Sequence, residues 1–476
     1  MTRNNMEVLH STDRNHHAWP ALWNVVTLCG LLSSTYTANA VDTTAPSGAG
    51  SAPTQNAAPG SGSSLAPDLL QKPAWLTEAS LTVKEGYDDN VFMAGSGTVK
   101  DQSSAITTVS PKVGFNFARS LDASGNLELL SFTYAPDFVM YHALPSENYD
   151  AHRMILAVKG KADAFSYSLD NTLLYIDSRK ASPSYSDGLN AWGTVFESQR
   201  REQLNDKSKL TLQYDWDKWF IRPGASLAYY GMMTDLKDPS LATTPTGYQN
   251  YETRYDVNGG ADFGYRFCTN MATTLGYRYG SQGQEQFNWN IDSSPSDYQR
   301  VLLGVEGKPF HWLNMQVLGG PDFRSYEADS ATHFSYVNNL HPVTYYGEAA
   351  LSATLTPNDT LSFKYKHWLF VSCLGVKPYA DSSYGLCYGR KITDRLSLDL
   401  GARLLEADYN NAISDGARDD LDYILSAGLH YAFSANIAAD LCYSANLGRN
   451  AQDNICSSYT RDFDSQEVTL AFQFKL

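Results

Sequence analysis

The residues able to do chemistry in this chain are charged side chains set singly into otherwise apolar segments. Arg153, Arg222, Arg254, Arg266, Arg278, Arg403, Asp256, Asp262, Asp399 and Asp440 each fall on the polar face of an alternating segment, as do Lys112, Lys159 and Asp170. Charges at period two suit a wall that faces water on one side and something apolar on the other. Two roles stay open for them: selecting ions, or pairing with one another to stiffen the wall. A second set, Arg179, Lys180, Asp187, Trp192 and Glu197, lies in the longest polar connection, about 178–198. That connection either folds inward as a constriction selecting by charge and size, or is a surface loop.

Covalent chemistry has little support. No GxSxG, HExxH, phosphate-loop or EF-hand pattern occurs in the alternating region. His142, His333 and His341 lie in or beside long polar connections, where they fit either a hydrolase at a rim or ordinary polar loops. Asp88, Asp89 and Asn90 offer oxygen ligands for a divalent cation, or side chains that satisfy the backbone of a turn. Cys268, Cys373, Cys387, Cys442 and Cys456 form no CxxC pair, so a zinc or redox site is unsupported. Cys373 with Cys387, or Cys442 with Cys456, could each bridge near a loop. The expectation is a protein without catalytic residues, metal or cofactor.

The elements that must carry these charges are strands. From Trp75 to the C-terminus, apolar and polar residues alternate repeatedly. In the last segment Val468, Leu470, Phe472, Phe474 and Leu476 oppose Glu467, Thr469, Ala471, Gln473 and Lys475. Short turns fall near 119–125, 162–164, 215–218, 267–270, 309–311, 356–360, 393–395 and 434–436. Longer polar connections, near 87–103, 142–150, 178–198, 233–248, 281–297, 325–342, 372–383, 408–419 and 449–462, separate them. The spacing predicts about 18 strands (16–18) in an all-β, transmembrane, antiparallel up-and-down β-barrel. Hydrocarbon offers no hydrogen-bond partners, so a spanning sheet must close on itself. Phe165, Trp216, Trp219, Phe267, Phe310, Trp312 and Phe433 cluster beside the short turns, where an interfacial aromatic girdle belongs. On this register Leu398 faces lipid near a strand centre, and its neighbour Asp399 faces the lumen.

Composition narrows the remaining classes. After residue 32 no stretch approaches the roughly 18 to 20 apolar residues of a spanning helix, which excludes a helical membrane protein. A net charge of −15 with no basic stripe argues against nucleic acid. Residues 18–32 form a short apolar run followed by Ala38, Asn39 and Ala40, the pattern of a signal peptide cleaved after Ala40 to leave Val41 first. Cys29 also permits a lipoprotein reading, although Leu28 stands where a small residue is usual. Residues 41–74, rich in Ala, Gly, Ser, Thr and Pro, read as a flexible segment ahead of a barrel over 75–476.

The run Glu85-Gly86-Tyr87-Asp88-Asp89-Asn90-Val91-Phe92 resembles a signature of outer-membrane β-barrel porins, including barrel proteins encoded in exopolysaccharide operons. That resemblance covers the first hairpin alone. It implies a pore-like barrel in the bacterial outer membrane and brings no catalytic residues. The expected partners are outer-membrane lipid and lipopolysaccharide, and the barrel-assembly machinery through the terminal strand 466–476. Small hydrophilic solutes and, as an option, two further copies in a homotrimer complete the set. The expected function is passive diffusion of ions and small hydrophilic solutes. The alternatives are a dedicated barrel for polysaccharide or another specific substrate, and a structural or adhesin barrel acting through its outer loops.

Overall fold

Alternation at period two gives each segment one apolar and one polar face, and the pairing of such segments decides which face goes inside. The computed structural model describes residues 73–91, 102–122, 124–177, 202–232, 253–284, 295–326, 340–371, 378–408, 419–450 and 463–476. Eighteen strands account for nearly all of them. They are β1 (Leu76–Asp88), β2 (Ser104–Asn116), β3 (Leu127–Tyr141), β4 (Tyr149–Ala162), β5 (Phe165–Asp177) and β6 (Gln203–Trp216). Next come β7 (Trp219–Met232), β8 (Arg254–Cys268), β9 (Met271–Gln284), β10 (Ser296–Phe310), β11 (Leu313–Tyr326) and β12 (Val343–Thr356). The ring finishes with β13 (Asp359–Phe370), β14 (Tyr379–Lys391), β15 (Leu396–Asp408), β16 (Asp419–Ala432), β17 (Ile437–Asn450) and β18 (Phe463–Lys475). One helical turn, α1 (Ala118–Leu121), sits in the β2–β3 connection.

Every strand pairs antiparallel with its sequence neighbours, and β1 pairs with β18 from Ser80↔Lys475 to Asp88↔Glu467. The sheet is therefore closed, with no free edge. Short turns collect at one end, with the chain's last residue, and the long connections at the other. Among the described residues no helix is long and apolar enough to cross a membrane.

Contacts between strands that are not neighbours identify the inner face. Arg222 on β7 reaches Glu306 on β10, and Arg324 on β11 reaches Gln282 on β9. Side chains on separated strands meet in this way only on the concave side. The convex side carries Leu275, Leu303, Tyr345, Leu425, Leu441, Val468 and Leu470, all exposed. At the short-turn end Phe165, Trp216, Trp219, Phe267, Phe310, Trp312 and Phe433 are 39–56% exposed, a surface belt and not a core. Trp75, Phe115, Phe117 and Phe132 stack into a further arc near that end.

The Asp88-Asp89-Asn90 run, met above as ligands or turn, ties this closure. The Asn90 amide N–H donates to Asp88 Oδ1 at 2.9 Å, the Asx geometry of a turn. Asn90 Nδ2 donates to the Asp464 carbonyl at 2.8 Å, and the Gln466 N–H donates to Asp89 Oδ1 at 2.7 Å. These bonds fasten the end of the first strand to the last strand.

Two expectations need correction. Leu398 faces outward but is only the third residue of β15, directly after the 392–395 turn, so it sits beside the turn end and not near a strand centre. Cys387 is a free thiol on the inner face of β14, so the Cys373–Cys387 bridge is not formed; Cys373 and Cys456 lie outside the described residues.

Candidate functional site: the lumen wall and its mouth

Register places each wall residue named from the sequence on the inner face: Arg153 on β4, Arg222 on β7, Arg254, Asp256, Asp262 and Arg266 on β8, Arg278 on β9. Asp399 and Arg403 on β15 and Asp440 on β17 share it. Lys112 is there too, ion-paired with Glu78 at 2.9 Å, and Asp170 stands opposite Lys209. The five loop candidates, Arg179, Lys180, Asp187, Trp192 and Glu197, lie outside the described residues, as does His333. His142 sits at the rim, its Nε2 2.8 Å from the Thr107 hydroxyl. Among the described residues no three His, Cys, Asp or Glu side chains group as a metal site.

Two clusters gather the charges of β6–β11. The first is a ladder in the short-turn half, between β6 and β10. Arg222 clasps the Glu306 carboxylate with both terminal nitrogens and takes Gln213 Oε1 with its Nε at 2.9 Å. Asp262 lies between Arg222 at 4.0 Å and Arg278 at 2.7 Å. Arg266 pairs with Asp215, and the Phe220 ring is covered by both Arg222 and Arg266. The paired side chains keep 14–33% of their surface, so the ladder is wet.

The second cluster is a knot at the long-loop mouth, on β8–β11. Tyr298 and Gln282 donate to the Asp256 carboxylate at 2.9 and 2.6 Å. Arg300 and Arg324 both donate to Asp322, at 2.9 and 3.1 Å, and Arg324 also takes Gln282 Oε1 at 2.7 Å. Arg300 lies between the rings of Tyr298 and Tyr346, 3.9 and 4.2 Å from their centroids. Asp322 and the Arg324 side chain are 0% exposed. A charge with no water around it stays ionised only if paired and hydrogen-bonded, and this network supplies both.

The knot is dry because a tip made of Trp368–Val371, at the outer end of β13, covers it. Pairing of β13 with β12 stops at Gly347↔His367, while pairing with β14 continues to Phe370↔Tyr379. Trp368–Phe370 therefore leave β12 and lean across the lumen. The Leu369 carbonyl accepts from Gln282 Nε2 at 2.9 Å and Arg324 Nη2 at 2.8 Å; the Val371 carbonyl accepts from Arg254 Nη1 at 3.2 Å. Phe370 and Tyr230 both lie under the Arg254 guanidinium. Leu369 packs with Tyr326, Ala380 and Leu340.

Sequence reasoning found Arg254 and Asp256 but missed Gln282, Tyr298, Arg300, Asp322, Arg324 and the tip. One signal was present. Trp368-Leu369-Phe370-Val371 is a continuous apolar run at a strand's outer end, which neither a lipid-facing alternation nor a solvated loop accounts for.

No family model matches this chain, and no curated protein matches its sequence. Among solved structures it is similar to the outer membrane protein OpdK of Pseudomonas aeruginosa, at 11% identity and TM-score 0.37, over 84% of this chain and 99% of that one. Pseudomonas aeruginosa OccK2 (OpdF) gives 11%, 0.40, 84% and 98%. The siderophore receptor PiuA of Acinetobacter baumannii gives 9%, 0.35, 84% and 82%. Such distant likeness says nothing of what the barrel conducts, which rests on the lumen itself.

Proposed function

We propose that the chain forms an aqueous channel in the bacterial outer membrane, through which ions and small hydrophilic solutes diffuse. One observation carries the reading: a closed ring of 18 strands that is apolar outside and charged inside. A ring of that size encloses more space than its side chains fill. Its inverted polarity suits lipid outside and water within. The charged wall then acts on ions through a low-dielectric surround.

The remaining sequence expectations join this proposal. Cleavage after Ala40 exports the chain, 41–74 is a tether, and strand 466–476 is read by the assembly machinery. Lipopolysaccharide and lipid surround the barrel, a homotrimer is its assembly, and the Tyr87–Phe92 run reflects kinship with exopolysaccharide-operon barrels. A dedicated channel is the second reading, favoured by the tip and dry knot that narrow the mouth. Conductance in planar bilayers tests both. Steps insensitive to saccharides and carboxylates support the general channel, solute-dependent steps the dedicated one, and silence under every condition removes both.

A further inference from the structure

We propose that Arg254, Gln282, Arg300 and Arg324 form an anion-binding cradle in the mouth, and that the tip at the outer end of β13, Trp368–Val371, occupies it as a displaceable gate. The proposal rests on the channel reading and adds what opens the channel.

Three observations carry it. The cradle's donors hold backbone carbonyls, those of Leu369 and Val371, at 2.8–3.2 Å. A carbonyl bears only partial negative charge. A carboxylate in the same place would make charge-assisted bonds roughly twice as strong. Next, among the described residues two of its guanidiniums are short of anions. Arg300 and Arg324 share one carboxylate, Asp322, because the Asp256 carboxylate takes the Tyr298 hydroxyl and Gln282. Arg300 Nη2 is buried with no hydrogen-bond partner, on a residue 4% exposed. Such a donor costs free energy until an acceptor arrives. Third, the tip is built to leave. Trp368–Phe370 have given up the β12 ladder, and among the described residues side chains alone hold them to the far wall. Breaking those contacts leaves the ring of strands intact.

The occupant that fits is a small solute carrying at least one carboxylate, presenting two oxygens where the two carbonyls now lie. Its binding and the docking of the tip exclude one another. By linkage, loosening the tip must tighten the anion, since only the tip-out state binds it.

The experiment uses the full mature barrel in planar bilayers at constant ionic strength, with malonate as probe and malonamide as its neutral counterpart. In the unaltered protein malonate should raise conductance and malonamide should not. Phe370→Ala removes the ring under Arg254 and leaves the cradle intact, so basal conductance should rise and the malonate midpoint should fall. Arg324→Gln should raise basal conductance but weaken malonate by about tenfold or more, the loss of a charge-assisted bond. Trp368 emission, taken as the difference from Trp368→Phe, reports tip movement independently of current. Its malonate titration should share the conductance midpoint.

An unchanged malonate midpoint in Phe370→Ala overturns the gate, and equal responses to malonate and malonamide overturn the anion cradle. Channels that conduct but ignore malonate refute the proposal while leaving the channel reading intact. Silence in every variant refutes the channel reading, and the Trp368 titration then still decides whether the anion displaces the tip.

Discussion

Arg222 with Glu306 and Arg324 with Asp322 are the same chemistry at two depths of one lumen. The ladder pair keeps about a fifth of its surface; the mouth pair keeps none. Water at the ladder screens its charges and leaves them able to exchange partners with passing ions. At the knot the charges must lean on each other, and the tip at the end of β13 adds the Leu369 and Val371 carbonyls as acceptors. The same guanidinium–carboxylate pairing thus serves two ends: a wall that ions can sense, and a fastening that holds the mouth.

The widest gap between the two clusters should appear on deleting one carboxylate from each. Asp322→Ala leaves Arg300 and Arg324 buried without the carboxylate they share and should cost about 3 to 5 kcal/mol. Glu306→Gln should cost about 1 kcal/mol or less, because water replaces the lost contact. Urea titration of barrels folded into vesicles measures both, and equal costs would erase the distinction.

Depth on the outer face sharpens the same point. Leu425, at the middle of β16, should lose about 2 to 4 kcal/mol as Leu425→Arg, while Leu398→Arg beside the turns should lose about 0 to 1 kcal/mol. The inward change Asp399→Asn should resemble Leu398→Arg. A Leu398→Arg variant as damaged as Leu425→Arg would place the bilayer wrongly on the barrel.

A smaller effect belongs to the ladder alone. Glu306→Gln uncovers the Arg222 charge, so the reversal potential in a KCl gradient should shift toward anions. That shift should shrink as salt rises, since the Debye length falls from about 10 Å at 0.1 M to about 3 Å at 1 M. A shift that persists undiminished at molar salt would mean the ladder is drier than its exposure indicates.

The smallest effect lies outside the lumen, in the β2–β3 turn. The Ser124 hydroxyl and the Leu127 and Ser124 amides donate to Asp122 and hold its carboxyl below the usual range. The folded value lies under the unfolded one of about 3.9. The turn's contribution is therefore complete above that pH and is lost as pH falls through the folded value. Asp122→Asn should flatten the acid side of the stability profile slightly, and an unchanged slope between pH 5 and 2 would contradict this.

How much of this was legible follows from the range of each interaction. Alternation is local, so strand number and the inward set from Arg153 to Asp440 could be read along the chain. The aromatic belt could be read too, because its members sit beside recognisable turns. The knot could not. It joins Arg254 to Val371 and Gln282 to Leu369, and no local pattern announces such partners. In β10, Leu302-Leu303 blurs the parity that would have set Arg300 inward. The connection at 178–198, whose length suggests a constriction or a surface loop, lies outside the described residues. The apolar run 368–371 was a legible pointer to the mouth, and its residues are buried there.

The seam between β1 and β18 also bears on the order in which the chain folds. Asn90 and Asp464 are 374 residues apart, whereas hairpin partners across the short turns are neighbours in sequence. Bringing such distant ends together costs about 3 kcal/mol more loop entropy than closing a ten-residue loop. Seam contacts should accordingly form late, after the local hairpins have zipped into a curved ribbon. Until then two unpaired strand edges stand open, each able to accept a strand from another molecule. The Asp88–Asn90 hydrogen bonds, made at the moment of closure, select the register in which the ribbon shuts.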